Sequence, residues 1–479
     1  MTHLTNASSL ENSSVSSKHL NLFLLTWPIF IELFLFMFMG IADTLMISAI
    51  SDNAVSGVGA ANQYLLIAIL LLEVVGNGAS IVVAQYIGSR NYLGASKIAA
   101  LAITLNLLVG LLISLLFFLC NGILLQAINL QGEVLIHAKS YLTIVGSFIF
   151  LQAIINSISA IIRVYGYTKQ AMFVSLGMNI IHIIGNYLLI FGKLGFPQLG
   201  VEGAAISSAA SRLLALIVFI WLLYKVLPVR IHLHYYWTLS KEYVGKILKI
   251  GIPAALEQVL YHTCQLVFLF YITYLGETAL AAKNYVSNIA MITINASLAI
   301  GMGTSIIIGR LIGAGEQTKA YYRVWKSTIW AVAVSLVLIS GIVLFRYPLM
   351  NVFTENREII ELGAQILLLC FILDTGRSVN IVLVNSLRAA GDAKFPLYMG
   401  LISMACMSLP LGWLLAFHYN LGLAGIWLAI AADEWLRAVI MFFRWRSRAW
   451  EKHRLVDQAP LKQKEKRVRR QNVPYNQLP

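Results

Sequence analysis

Charge is what this chain has least of. Aspartate, glutamate, lysine and arginine together make up 12% of its 479 residues, about half the share found in soluble domains. That shortage excludes an ordinary water-soluble fold, and a mean hydropathy of +0.77 agrees. Cysteine is scarce as well: Cys120, Cys264, Cys370 and Cys406 stand singly in hydrophobic stretches, which suits neither a disulfide framework nor a metal site. No GxxxxGK[ST] run occurs, so ATP is not bound through a P-loop. No HExxH, no Ser/His/Asp elbow and no soluble catalytic domain is present, so an enzyme is not expected and no cofactor is called for. Any pumping must then draw on an ion gradient. Residues 1–17, rich in Ser and Asn, lack the basic start and cleavage site of a secretory signal. The first hydrophobic span is expected to serve as an uncleaved insertion signal.

What the chain has instead is hydrophobic residues, 59% of the total. A spanning helix needs about 20 apolar residues, and twelve runs qualify: 21–48, 58–84, 98–120, 138–161, 170–192, 203–224, 248–274, 279–309, 327–346, 359–386, 396–417 and 421–443. The chain also repeats itself. Pro28 and Glu32 of WPIFIE return as Pro253 and Glu257 of IPAALE, a shift of 225. Gly78, Ser80 and Gly88 return at the same shift as Gly303, Ser305 and Gly313, and Arg163, Gly166 and Lys169 as Arg388, Gly391 and Lys394. After a three-residue slip, LGVEGAA from Leu199 matches LGLAGIW from Leu421. The expected fold class is therefore an all-α polytopic membrane protein of twelve transmembrane helices in two pseudo-symmetric six-helix lobes. The expected divisions are a disordered cytoplasmic leader 1–20, an N-lobe 21–224, a linker 225–247, a C-lobe 248–444 and a basic tail 445–479.

Orientation follows from the basic residues of the loops. With the N-terminus cytoplasmic, 27 lysines and arginines fall inside and five outside (Lys139, Lys193, Lys283, Arg346 and Arg357). Both termini are expected in the cytoplasm, and the sequons at Asn6 and Asn12 then carry no meaning. The tail run Lys462 to Arg470 reads as an electrostatic tether to anionic lipid, not as a nucleic-acid module, and the chain beyond Trp450 is expected to be disordered. Arg230, His232 and His234 alternate like metal ligands, yet a cytoplasmic interfacial linker with Tyr235, Tyr236 and Trp237 at headgroup level suits them better. Asn121 to His137 is expected to lie on the outer surface between the third and fourth spans. The glycines that close the second and eighth spans read as helix-packing positions.

Acids within apolar spans are costly and usually functional. Glu32 and Asp43 share a face of the first span about 16 Å apart, Glu32 near mid-depth and Asp43 in the outer half. Asp43 is the first candidate for ion coupling; Glu32 is compatible with either a functional or a shared structural role, because Glu257 repeats it. Asp374 and Arg377 share a face of the tenth span. Arg377 and Glu257 have similar counted depths, so an ion pair between them is expected, with Asp374 joining it as either a clasp or a gate. Glu257 and Asp374 are further ion-coupling candidates, and a Na+ ion could sit near them. Pro28 and Pro253 mark places where helices can bend. Met39, Asn179, His182, Asn186 and Tyr261 are candidate cavity residues, although ordinary packing also suits Met37 and Met39. Glu73, Arg212, Asp433, Glu434 and Arg437 are minor candidates expected to snorkel toward an interface.

Several of these pieces resemble multidrug and toxic compound extrusion (MATE) transporters: WP opening the first span, GIADTLMIS around Asp43, GNGASIVVAQYIG, SLRAAGDAKFP and the paired LGxxGA-like starts. In order and spacing they cover nearly all of residues 20–445. The resemblance implies two lobes forming a V around a central cavity, open alternately to each side. It implies a monomer of the inner or plasma membrane exporting amphipathic, cationic organic compounds in exchange for H+ or Na+. It makes Asp43 the titrating aspartate of the N-lobe. Where the proton-coupled branch has a second aspartate before LLIFG, this chain has Asn186; where the sodium-coupled branch has an aspartate in the tenth span, it has Arg377, with Asp374 one turn away. The coupling ion stays open on sequence alone, with a lean toward the proton. The alternatives are a lipid-linked oligosaccharide flippase of the same superfamily and a membrane-embedded enzyme or receptor; buried acids speak against the first, and the lack of an interfacial catalytic cluster against the second.

Overall fold

The computed structural model describes residues 20–229 and 231–456. The leader through residue 19, Arg230 and the tail run 462–470 lie outside the described residues. Long helices dominate, because apolar segments in lipid must satisfy their backbone groups internally. Among the described residues nine helices are long and apolar enough to cross a membrane, ten when the bent pair below counts as one span. Two more polar ones, Lys241–Thr273 and Gly422–Arg446, complete the twelve.

The N-lobe contains α1 (Leu22–Ser48), α2 (Asp52–Gly88), α3 (Tyr92–Ala127), the bent span α4a (Gly132–Ser147) and α4b (Ile149–Val164), α5 (Thr168–Phe191) and α6 (Val201–Val226). The C-lobe contains α7 (Lys241–Thr273), α8 (Glu277–Gly313), α9 (Gln317–Leu344), α10 (Arg357–Ala390), α11 (Lys394–His418) and α12 (Gly422–Arg446). Polar residues before the apolar runs start several helices: Asn21 caps α1 through the Phe23 amide, Ser51 caps α2 through Ala54, and Asn91 caps α3 through Gly94. Leu112, Leu115 and Leu119 form an exposed stripe on α3 at helical spacing, a face suited to lipid. The bend between α4a and α4b is 46°; there the Phe150 amide is met by the Ser114 hydroxyl at 3.3 Å.

Several boundaries differ from the sequence expectation. The segment 121–137, expected on the outer surface between the third and fourth spans, is mostly helical: α3 continues to Ala127 and α4a starts at Gly132. The linker is shorter than 225–247, since α6 runs to Val226 and α7 already starts at Lys241. Polar residues near a spanning helix extend it into the interface, where hydropathy no longer marks it. Residues 451–456, part of the stretch expected to be disordered, also have a place. Trp450 is fully buried and stacks on Trp445, with ring centroids 4.2 Å apart, and Leu455 is buried against the N-lobe core.

The lobes meet at the end where α1 begins, α2 ends and the linker crosses, called here the linker end. The glycines of α2 and α8 permit this contact. A Cβ on Gly88 would stand 2.0 Å from the Arg310 carbonyl oxygen, and one on Gly313 2.0 Å from that of Gln85. The hydrogen bonds obey the repeat as well. Gln85 Nε2 donates to the Ala389 carbonyl at 2.7 Å, and its 225-shifted counterpart Arg310 donates to the Val164 carbonyl at 2.5 Å. Gly88→Ala is therefore expected to destabilise the purified protein by about 1–3 kcal/mol through overpacking, read as a lowered melting midpoint. Gly341→Ala, with nothing within 4 Å of its added Cβ, is the control that should not lower it.

Candidate functional site

Between the lobes lies a cavity of about 430 Å³, walled by α1, α2, α4b, α7, α8, α10, Met404 of α11, and α12. Its size is that of a pocket for a small organic molecule. Seven charged side chains reach its wall: Glu73, Arg163, Glu257, Arg377, Arg388, Glu434 and Arg437.

Two of the charge pairs are images of each other under the repeat. Arg163 Nη1 contacts Glu32 Oε2 at 3.2 Å, and Arg388 Nη2 contacts Glu257 Oε2 at 2.7 Å; both members are shifted by 225. Ser175 and Ser159 also donate to Glu32, at 3.0 and 3.4 Å. Pro28, one turn earlier on α1, cannot donate to the Leu24 carbonyl, and the Thr168 hydroxyl of α5 donates to it instead at 3.3 Å. Pro253 is likewise buried inside α7.

The C-lobe holds a buried chain of charges. Arg377 Nη1 donates to Asp374 Oδ1 at 2.9 Å, and its Nε reaches Glu434 Oε1 at 3.5 Å. Arg437 Nη2 bridges Asp433 at 2.9 Å and Glu434 at 3.1 Å. Thr293 donates to Asp374 at 2.7 Å, Asn380 to Glu434 at 2.8 Å, and Ser403 to Asp433. Buried charges persist in this form, paired and hydrogen-bonded.

Two expectations are corrected here. Glu257 pairs with Arg388 and not with Arg377, whose guanidinium is taken by Asp374 and Glu434. The expectation counted depth from helix ends, which assumes that the ends share a plane; α7 begins seven residues before the assumed start, about 10 Å along its axis. Asp433, Glu434 and Arg437 do not snorkel but close the buried network. Sequence reading missed Arg163 and Arg388 as site residues, although the shared shift of 225 for glutamate and arginine alike could have found both.

Asp43 lies apart from the central cavity, within the N-lobe. Its Oδ1 is 2.6 Å from His182 Nε2 and 2.7 Å from Asn186 Nδ2, both on α5. An ionised carboxylate only accepts, so the imidazole donates through Nε2. Ser207 holds the backbone beneath by donating to the His182 carbonyl at 2.8 Å. Arg212 and Tyr141 lie within electrostatic reach of Asp43, yet neither makes an ion pair with it. Buried Asn179 is on the same helix. Of the five candidate cavity residues only Tyr261 is on the central wall; Asn179, His182 and Asn186 are buried in α5, and half-buried Met39 is not on that wall. The interior of each lobe, and not only the gap between them, accommodates polar groups. No cluster of three or more His, Cys, Asp or Glu suited to a metal exists among the described residues; Glu257 and Asp374 both face arginine, where a bound Na+ would have to displace a guanidinium.

The MatE sequence family matches residues 28–188 and again residues 253–414. The chain is 42% identical over 435 residues to an uncharacterized transporter of Bacillus subtilis strain 168, YisQ, covering 91% of this chain and 96% of that one. It is 26% identical to a probable multidrug resistance protein NorM of Thermotoga maritima, over 95% and 98% of the two chains. Among solved structures it superposes on a MATE crystal structure in the bent conformation with a TM-score of 0.81 at 21% identity, covering 90% of this chain and 96% of that one. An outward-facing multidrug resistance MATE family transporter gives a TM-score of 0.82 at 20% identity, with the same coverage.

Proposed function

Since the chain belongs to the MatE family, and is thus a multi-pass efflux transporter and not an enzyme, we propose that it is a secondary antiporter. It exports amphipathic organic cations through the central cavity in exchange for protons taken up at Asp43. One observation carries this reading. Glu32, Glu257, Asp374, Asp433 and Glu434 are each held by an arginine, whereas Asp43 is held by His182 and Asn186, which can both be neutral. Its charge can therefore change without breaking a direct ion pair, a change the other five could make only at that cost. Arg212 feels this charge without contacting it. Glu73, which also lacks an ion pair, has no hydrogen bond among the described residues to a second helix through which a proton could move α1. Protonation would loosen the junction of α1 with α5 and let α1 shift. Alternating access then requires the α2–α8 contact at the linker end to open and re-form. By the excess of basic residues this end is cytoplasmic, in the plasma membrane, and one chain is the working unit.

A lipid-linked oligosaccharide flippase would need cavity cations free for an anionic headgroup. All four wall arginines are engaged by carboxylates, which favours the antiporter. The test is ethidium efflux from vesicles under an imposed proton gradient, then under an imposed sodium gradient. Transport driven by the proton gradient alone is expected; transport driven only by sodium would overturn the assignment of the ion.

A further inference from the structure

The cavity wall is unsymmetrical although the helices that build it are symmetrical. On α2 the wall carries Glu73, Asn77 and Ser80, one face of the helix at i, i+4 and i+7. The same three positions on α8, each shifted by 225, carry Leu298, Met302 and Ser305, and all three also reach the wall. One lobe therefore offers a carboxylate and an amide where the other offers a branched hydrocarbon and a thioether. Met404 of α11 adds a second thioether to the wall.

Glu73 also stands out in the charge inventory. The other six charged groups of the wall have an opposite charge within 3.5 Å, through the pairs given above. Glu73 has no ion pair or hydrogen bond among the described residues, and the cation that acts on it electrostatically, Arg163, is already held by Glu32 at 3.2 Å. A half-buried carboxylate left without a partner in a membrane protein costs stability. A cargo that supplies the missing positive charge recovers that cost on binding. Apolar surface on the opposite wall would at the same time take the cargo's hydrocarbon part out of water.

We propose that Glu73 is the specificity-determining residue for cargo, accepting the single positive charge of an amphipathic cation whose apolar body lies against Leu298, Met302 and Met404. This rests on the export reading above and assigns the orientation within it: charge toward α2, hydrocarbon toward the face of α8 that carries Leu298 and Met302. It also predicts preference for monocations, because Glu73 is the one wall charge without an ion pair among the described residues.

Binding of tetraphenylphosphonium, a permanent lipophilic monocation, to the full-length protein in lipid nanodiscs tests the assignment by equilibrium dialysis. Glu73→Gln is expected to weaken binding about tenfold or more, ~1.4 kcal/mol. Glu73→Asp keeps the charge and should stay within about threefold of the natural protein, and Glu355→Gln, on an exposed loop, should not change it. The melting midpoint of ligand-free Glu73→Gln should equal or exceed that of the natural protein, because an unpaired charge has been removed; a merely structural glutamate would lower it. Should Glu73→Gln fail to fold, Glu73→Asp decides: folded protein that no longer binds the probe overturns the charge assignment. Binding by Glu73→Gln within about twofold of the natural protein also overturns it, as does a natural protein that binds no probe. If gradient-driven efflux is missing while binding still depends on Glu73, the antiport reading falls and this one stands; efflux intact with binding indifferent to Glu73 gives the reverse.

Discussion

Asp43→Asn is expected to abolish proton-driven ethidium efflux, to the level of vesicles without protein, while expression and thermal stability stay near those of the natural protein. The two side chains have nearly the same shape, and the amide oxygen of an asparagine can still accept from His182 and Asn186, which now reach Oδ1 at 2.6 and 2.7 Å. The loss in stability should therefore be that of one hydrogen bond weakened by removal of charge, about 1 kcal/mol. What the substitution removes entirely is the capacity to take up and release a proton. If Asp43 exchanges the coupling ion, no shape-preserving neutral residue can replace it. Vesicle efflux at matched protein density, with a melting curve as control, checks both halves of the expectation. Undiminished efflux would refute the role of Asp43. His182→Gln keeps a donor on α5 and should be milder, which separates the carboxylate's part from that of its partner.

Arg377→Met is expected to have the largest effect on stability. Arg377 lies between Asp374 and Glu434, all three buried within the C-lobe. Removing it leaves Asp374 with only the Thr293 hydroxyl, whereas Glu434 retains Arg437 and Asn380. Breaking one partner out of a buried pair costs about 3–5 kcal/mol. For a chain of this size that corresponds to a fall in melting midpoint of about 3–5 °C. Adding Asp374→Asn removes the orphaned carboxylate, so the double variant should recover part of the loss and be more stable than Arg377→Met alone. If the two changes simply add, Asp374 and Arg377 are not coupled. The same logic separates the observed pairing of Glu257 from the expected one. Glu257→Gln combined with Arg388→Met should show a coupling of about 1–3 kcal/mol, and Glu257→Gln combined with Arg377→Met close to none.

Much of this site was visible in the sequence one residue at a time. Charged residues in apolar runs announce themselves, because lipid tolerates few of them; Glu32, Asp43, Glu257, Asp374 and Arg377 were singled out for that reason, and all but Asp43 and Arg377 proved to be carboxylates in ion pairs with arginine. Their partners were harder to name. Arg163 and Arg388 sit in the last turns of α4b and α10, next to basic loops, where the charge count assigns them to orientation. Nothing in their local sequence shows that they turn back toward α1 and α7. The cluster of Asp43 with His182 and Asn186 joins helices 139 residues apart, a distance over which no periodicity speaks. Glu73 was only a minor candidate, because its significance is that its neighbours are paired and it is not.

The sequence by itself determined the membrane class, the twelve spans, the duplication and which positions correspond under it. These follow from hydropathy and from a shift of 225, and both are properties of residues taken in order. Only the tertiary structure decided which charges meet, which acid keeps neutral partners and which wall of the cavity carries the unmatched carboxylate. The physical reason is that contact depends on the height and rotation of one helix against another. Those are set by glycine-sized gaps, such as the one between Gly88 and Arg310, and not by any count of residues from a helix end.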